Sequence, residues 1–350
     1  MTARRPHIAV LLPVRLARRT LPFALDDVLA QRGVELSVLA VVDDGEGGTD
    51  DGSADLLARR ARADSRLAVL RGPGRGVGAA LDVGLAAAAA GGAPLVAHME
   101  ADDRCPPDRL ARLAARLAQE PALCAVTSRA GQCGARTAGM RRYLAWQNAL
   151  LRHDELARER FVEIPALHQT GLYRLEAVAA VGGYAPRGEW PADIDFWLRW
   201  FEHDGRVAPL PTAKLPRVLY RWRQHAGQST RSHGRAARSV HGLDALRRAK
   251  AHYLARWLDG RPAVLVSTGR TLDDWQRALR AAGATLAAAH AWKPGQPASG
   301  ILAAGAASGA TAGGRAGAVV VAAYGTPGVR ERLRAALPRL REPDELIFTA

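Results

Sequence analysis

The stretch Leu95-Val-Ala-His-Met-Glu-Ala-Asp-Asp103 is apolar until it stops in three acidic side chains, Glu100, Asp102 and Asp103. A run of strand length without strict polar alternation must be covered on both faces, the condition of a strand inside a parallel sheet. Such a strand delivers its carboxyl end to the crevice where open α/β sheets take up ligands. Carboxylates placed there suit a hard divalent cation and the diphosphate it accompanies. Arg104-Cys-Pro-Pro107 and a helix from Asp108 follow directly, so capping that helix is a second reading of Asp103.

The runs before it fall into the same pattern. Ile8–Leu12, Leu36–Val42 and Leu67–Leu70 are predicted strands, separated by a helix over Leu21–Gln31 and another from Ser53 or Asp55. A further helix is predicted from Ala79, after the glycine- and arginine-rich segment Arg71–Gly78. This alternation with short connections predicts a mainly parallel, doubly wound sheet with helices on both faces. Asp43-Asp44-Gly45 closes the second strand as Asp102-Asp103 closes the fourth. Each pair alone is ordinary turn chemistry, but parallel strands bring both to one edge, together with the Gly72–Gly78 loop. No Walker lysine-serine pair follows those glycines.

Further along, Leu172–Val181 reads as a short strand and helix, Gly182-Gly-Tyr184 as a turn, and Trp190–Phe201 as the start of a helix. Asp193 lies in its first turn, where the helix dipole favours a carboxylate, so a capping role is its simplest reading. Two short strands are predicted at Gly205–Leu210 and Ala213–Tyr220, and an arginine-rich helix within Gly234–Leu258. A separate pattern follows: strands at Ala263–Val266, Ala284–His290, Ala318–Ala323 and Leu346–Phe348, with helices at Thr271–Ala282 and Val329–Leu337. Its Gly/Ala/Ser-rich interruption over 295–317 reads as a loop. The expected organisation is a first domain over 1–232, a helical linker over 233–260 and a small Rossmann-like module over 261–350. The turn Ser267-Thr-Gly-Arg270 lacks the dinucleotide fingerprint, which favours scaffolding over cofactor binding.

The formal charge of +15 is carried almost wholly by arginine, with Lys214, Lys250 and Lys293 the only lysines. The arginines are spread along the chain and alternate with acids, and no aromatic-basic motif accompanies them. No specific nucleic-acid partner is therefore expected, while peripheral attraction to an anionic membrane face is compatible with the charge. Cys105, Cys124 and Cys133 show neither paired-ligand spacing nor a disulfide framework, so no zinc site is implied and a reducing compartment is indicated. The chain runs straight into its first strand with no signal-peptide core. The Ala79–Ala93 run is broken by Asp82, Gly84 and Gly91-Gly92 and is too short to span a bilayer. The expected location is the cytoplasm, including the inner face of the membrane.

Leu12-Pro-Val-Arg15, Val41-Val-Asp-Asp-Gly45 and Glu100-Ala-Asp-Asp103 together resemble the nucleotide-sugar-binding half of family 2 glycosyltransferases with the GT-A fold. The resemblance extends over roughly residues 7–230, since Ala192-Asp-Ile-Asp-Phe-Trp197 is similar to the family's Glu-Asp-x-Asp-Leu-Trp motif. Trp222-Arg-Gln-His225 likewise resembles its Tyr-Arg-x-His loop. It implies that Pro13, Val14 and Arg15 line the nucleoside pocket, that Asp44 hydrogen-bonds the base, and that Arg75 sits near the nucleotide. Asp102 and Asp103 would hold ribose and metal, Arg223 and His225 would fold over the diphosphate with His225 also a metal ligand, and Asp193 would be the catalytic base. Glu100 stands where the family usually has aspartate, and Ala192 where it commonly has glutamate. The C-terminal module is similar to that of N-acetylglucosaminyltransferase-like members. The implied activity is an inverting, Mn2+- or Mg2+-dependent transfer from a nucleoside-diphosphate sugar, a UDP-sugar such as UDP-GlcNAc, to an acceptor hydroxyl. That hydroxyl would belong to a glycan, a lipid-linked sugar or a small molecule, as in making cell-surface polysaccharide. A nucleotide-sugar-binding or assembly subunit without catalysis is the alternative, favoured by Glu100 and Ala192. A sugar nucleotidyltransferase would want a glycine-rich signature with lysine after the first strand, which Pro13-Val-Arg15 lacks.

Overall fold

The computed structural model describes residues 5–44, 51–135, 137–202, 209–225, 242–301, 303, 317–324 and 328–349. The chain forms two compact units, the first from 1–156, 165–187 and 209–232, the second from 157–164, 188–208 and 233–350. No helix among the described residues is long and apolar enough to cross a membrane.

The first unit begins with β1 (His7–Val14), α1 (Leu21–Leu29), β2 (Glu35–Val42), α2 (Ser53–Ala63), β3 (Leu67–Arg71), α3 (Val77–Ala90), β4 (Leu95–His98) and α4 (Arg109–Gln119). It continues through β5 (Ala125–Gly134), α5 (Ala138–Ala149), the first four residues of α6 (His153–Glu159), β6 (Leu172–Arg174), α7 (Leu175–Ala180) and β7 (Thr212–Gln224). Its seven strands form one sheet in the order β3-β2-β1-β4-β6-β5-β7. All neighbours are parallel except β6, which runs against both β4 and β5. The carboxyl ends of β1, β2, β3, β4, β5 and β7 therefore share one edge. Ile8 to Val14 are buried throughout, as expected of a strand covered on both faces. On one face Val10, Leu12, Val38 and Ala40 pack with Leu110, Leu113 and Leu117 of α4, whose i, i+3, i+7 spacing gives that helix its apolar stripe.

Two differences from the sequence reading bear on function. β1 runs through Pro13, in register with Val41, instead of stopping at Leu12. Its last pair with β4 is Leu11 with His98, so proline's missing donor falls beyond that ladder. β7 continues to Gln224 instead of ending at Tyr220, which makes Trp222, Arg223 and Gln224 strand residues and not a loop. The extension exists because β5, whose second half is too polar to read as a buried run, pairs with it from Ala130–Tyr220 to Gly134–Gln224. Of the strand expected over 205–210, only Pro209 and Leu210 are described, and they lie outside any strand.

The second unit contains α8 (Ala192–Trp200), α9 (Leu243–Leu258), β8 (Ala263–Ser267), α10 (Gly269–Ala281), β9 (Leu286–Ala291), β10 (Val319–Ala323), α11 (Val329–Ala336) and β11 (Leu346–Thr349). Its four strands form a second, wholly parallel sheet in the order β11-β10-β8-β9. Ala263, Leu265, Val319, Val321 and Ile347 build a core with Trp275 and Leu279 of α10. Ala249, Tyr253, Leu254 and Leu258 of α9 share that core, so the segment expected as a linker packs as part of this unit. Ile194 and Leu198 of α8 join it as well. Asp195 is fully buried; it accepts from Trp190 Nε1 at 2.8 Å and Tyr253 Oη at 2.7 Å and pairs with Arg199 Nε at 2.7 Å, tying α8 to α9. Asp195→Ala takes a buried partner from Arg199, and chemical denaturation is expected to show a loss of about 3–5 kcal/mol. A loss near zero contradicts the role of this pair.

Candidate functional site

The shared strand edge gathers most of the residues that the sequence singled out. Asp103, just beyond β4, is completely buried. Its Oδ2 accepts from Tyr220 Oη at 2.7 Å and its Oδ1 from the Arg223 backbone N–H at 2.6 Å, both groups on β7. Burial pushes the Asp103 carboxyl well above the usual range, and the neighbouring Asp102 charge pushes the same way. Beside it, the Arg223 Nε donates to the Asp102 carbonyl oxygen at 2.5 Å, and His225 Nε2 lies 2.9 Å from Asp102 Oδ2. The Asp102 side chain is 27% exposed, and burial followed by the Glu100 charge raises its pKa. Arg109, in the first turn of α4 and 1% exposed, braces the assembly from below. It donates to the carbonyls of His98 at 3.0 Å and of Gln169, and lies 5.0 Å from the centre of the Tyr220 ring.

The loops after β1, β2 and β3 are fixed by their own polar side chains. Asp43 accepts from the N–H groups of Gly74 at 2.6 Å and Gly76 at 3.0 Å, which sets the main chain on either side of the exposed Arg75. Gly72 is required there, because a Cβ would stand 2.4 Å from Asp43 Oδ1. Asp44, next along, is half-buried at the same edge. Pro13 and Val14 are buried at the end of β1 and Arg15 is exposed beyond it. The following turn is anchored by the first residue of α2 and by Asp51 just before it: Ala17 N–H donates to Ser53 Oγ at 3.2 Å and Arg18 N–H to Asp51 Oδ2 at 2.8 Å. Within that turn Leu16 is 55% exposed with φ +48°, a left-handed conformation costly for a branched residue and most often found at functional sites.

Asp193 belongs to the second unit, where its Oδ1 accepts the Ile194 N–H at 2.9 Å in the first turn of α8. Sequence reasoning missed Tyr220, Arg109, Asp51 and Ser53. An arginine interrupting the apolar stripe of α4 was the one signal available for Arg109; nothing local marks Tyr220, whose partner is 117 residues away.

Among the described residues no three His, Cys, Asp or Glu side chains form a metal cage by themselves. Asp102 Oδ2 and His225 Nε2, 2.9 Å apart, have about the spacing of adjacent ligands on a cation with bonds of roughly 2.1 Å. A cation of this kind takes one or two protein ligands and completes its shell with phosphate and water. The pair therefore fits an ion that arrives with a nucleotide. Asp103 is less open to an ion, being fully buried with a hydrogen bond already on each oxygen.

The raised Asp103 pKa carries a pH signature. Its folded value lies above its unfolded one, so its stabilising contribution is complete below the unfolded pKa and is lost as pH rises through the folded value. Asp103→Asn keeps the shape without the ionisation. Its stability relative to the parent is expected to improve between about pH 5 and about pH 8, read from urea unfolding at both. A constant difference contradicts the assignment.

The family model described as glycosyl transferase family 2 matches residues 9–182, from β1 through α7. Among solved structures the chain is similar to S. aureus TarS 1-349 in complex with UDP-GlcNAc, at TM-score 0.53 and 13% identity over 79% of this chain and 80% of that one. S. aureus TarS 1-349 without that ligand matches at TM-score 0.50 and 14% identity over 72% and 70% of the two chains. At such identities the likeness is one of fold. The mannosyltransferase PcManGT from Pyrobaculum calidifontis, in complex with GDP-Man and Mn2+, reaches only TM-score 0.46 at 18% identity, over 98% of this chain and 83% of that one. No curated protein matches the chain. The motifs at the strand edge, the mixed sheet and the family match agree: this chain is a glycosyltransferase, with a family 2 domain on the GT-A fold.

Proposed function

We propose that the chain transfers a sugar from a nucleoside-diphosphate donor to an acceptor hydroxyl with inversion, using a divalent cation held by Asp102 and His225. The observation that carries this reading is the convergence of those two side chains, 2.9 Å apart, beside the buried Asp103 that bonds Tyr220 and Arg223 of β7. Of the expected ligands Asp102, Asp103 and His225, we favour Asp102 and His225, because Asp103 is fully buried and each of its oxygens accepts a short hydrogen bond from β7. When bound, Mn2+ or Mg2+ supplies positive charge to the departing diphosphate. Arg223 adds donors, since its Nη nitrogens make no hydrogen bond among the described residues while its Nε is anchored on Asp102. Asp44 and the Pro13–Arg15 turn receive the nucleoside, and Arg75 meets the phosphates from the loop held by Asp43. Asp193 takes the proton of the attacking hydroxyl, a role that rests on its motif.

UDP-GlcNAc, the molecule bound by TarS, is the first donor to test. Acceptors to offer are glycans, lipid-linked sugars and small hydroxyl compounds. The second reading, a nucleotide-sugar binder without turnover, is favoured by Glu100 and Ala192 at positions where the family commonly has aspartate and glutamate.

Two outcomes are expected. In calorimetry Mn2+ tightens UDP binding to the parent by about tenfold or more, and Asp102→Asn or His225→Ala removes that gain. A gain that survives both changes rejects the pair as ligands. Asp193→Asn retains UDP binding but loses transfer, or donor hydrolysis, by ~100- to ~10,000-fold. Undiminished turnover in that variant rejects Asp193 as base, and a parent that binds donors without ever consuming them establishes the second reading.

A further inference from the structure

His98 is the last residue of β4, and Glu100 lies two residues on, just beyond the strand. His98 Nε2 is 3.1 Å from Glu100 Oε1. The two differ sharply in setting: His98 is 2% exposed, whereas the Glu100 side chain is 31% exposed at the edge that carries Asp102. Neither imidazole nitrogen completes a hydrogen bond of full geometry, and Glu100 is the one carboxylate within ion-pair reach among the described residues. A buried imidazole without a partner is costly, so this contact accounts for a histidine in an otherwise apolar strand.

The main chain on both sides is already fixed. Arg109 Nη2 donates to the His98 carbonyl at 3.0 Å, and the Glu100 N–H donates to Tyr220 Oη at 3.2 Å. What is left free at Glu100 is its side chain, which has one more rotatable bond than an aspartate would have at the same place. Ordering that extra bond costs entropy each time a ligand binds. We propose that His98 is a positioning residue which holds the Glu100 carboxylate in the orientation that meets the nucleoside diphosphate beside Asp102. The proposal rests on the donor-binding reading above and adds a residue to it. An imidazole inside the sheet takes up the slack of the longer acid, so the Glu100 site is built as a pair.

The test is a double-mutant cycle on UDP binding by calorimetry at fixed Mn2+, with the parent, His98→Leu, Glu100→Gln and the double variant. Each single change is expected to weaken UDP by about 5- to 10-fold, and the double variant to bind within about twofold of Glu100→Gln alone. His98→Gln, which keeps an N–H of similar reach, is expected to return to within about threefold of the parent. Should His98→Leu not fold, His98→Asn, too short to reach Glu100, takes its place in the cycle. Losses that multiply in the double variant, or a His98→Leu protein that binds UDP as the parent does, overturn the pairing while leaving the donor reading intact. A parent that does not bind UDP brings down the donor reading and this proposal with it.

Discussion

The site depends on one buried carboxylate. Asp103 comes from the loop after β4, and both of its acceptors are filled by β7, through Tyr220 Oη and the Arg223 N–H. Removing a carboxylate wholly from water is expensive unless hydrogen bonds replace the lost solvation. Two short bonds offset only part of that loss, since burial still raises the Asp103 pKa, and a main-chain bridge between Arg104 and Arg221 joins the same two segments. The same bonds decide where Asp102 points, because Arg223 grips its carbonyl from the strand that Asp103 holds in place. Stability and the proposed function thus meet at one residue: Asp103 fastens the loop after β4 to β7, and the neighbouring Asp102 side chain stays partly exposed.

Why the edge of the sheet should be built so heavily follows from what a diphosphate demands. Its charge is spread over several oxygens, and donors that are fixed beforehand stabilise the leaving group without reorganising at the moment of reaction. Asp43 on Gly74 and Gly76, Asp51 and Ser53 on the turn after β1, and Arg109 under β4 each fix a loop from behind. None of these side chains needs to touch a substrate. They allow the residues proposed to do so, Arg15, Arg75 and Asp102 on loops and Arg223 at the end of β7, to keep defined positions.

Much of this was legible in the sequence, and the limits have physical causes. The strands β1 to β4 announce themselves as buried runs because both of their faces are covered, and their Asp-rich ends are local features of the chain. β5 and the far half of β7 were not legible. Each is polar on its own and becomes a strand only by pairing with the other, a contact of high sequence separation. Asp103 illustrates the same limit at the site. Its spacing from Asp102 is visible in the sequence, but the two carboxylates sit in different settings, because Tyr220 and Arg223 engage the buried Asp103 while Asp102 is partly exposed. The segment that carries Asp193 reads locally as a helix start; its membership of the second unit comes from Asp195 and Tyr253, which no local pattern joins.

The central claim is that Asp103 is structural and that Asp102 with His225 receives the cation. Anomalous diffraction at the manganese edge, from crystals grown with UDP and Mn2+, tests it most directly. The account predicts a single peak at about 2.2 Å from an Asp102 oxygen and from His225 Nε2, with the Asp103 bonds to Tyr220 and Arg223 unbroken. A manganese ion on Asp103, or bound UDP with no ion between Asp102 and His225, contradicts it.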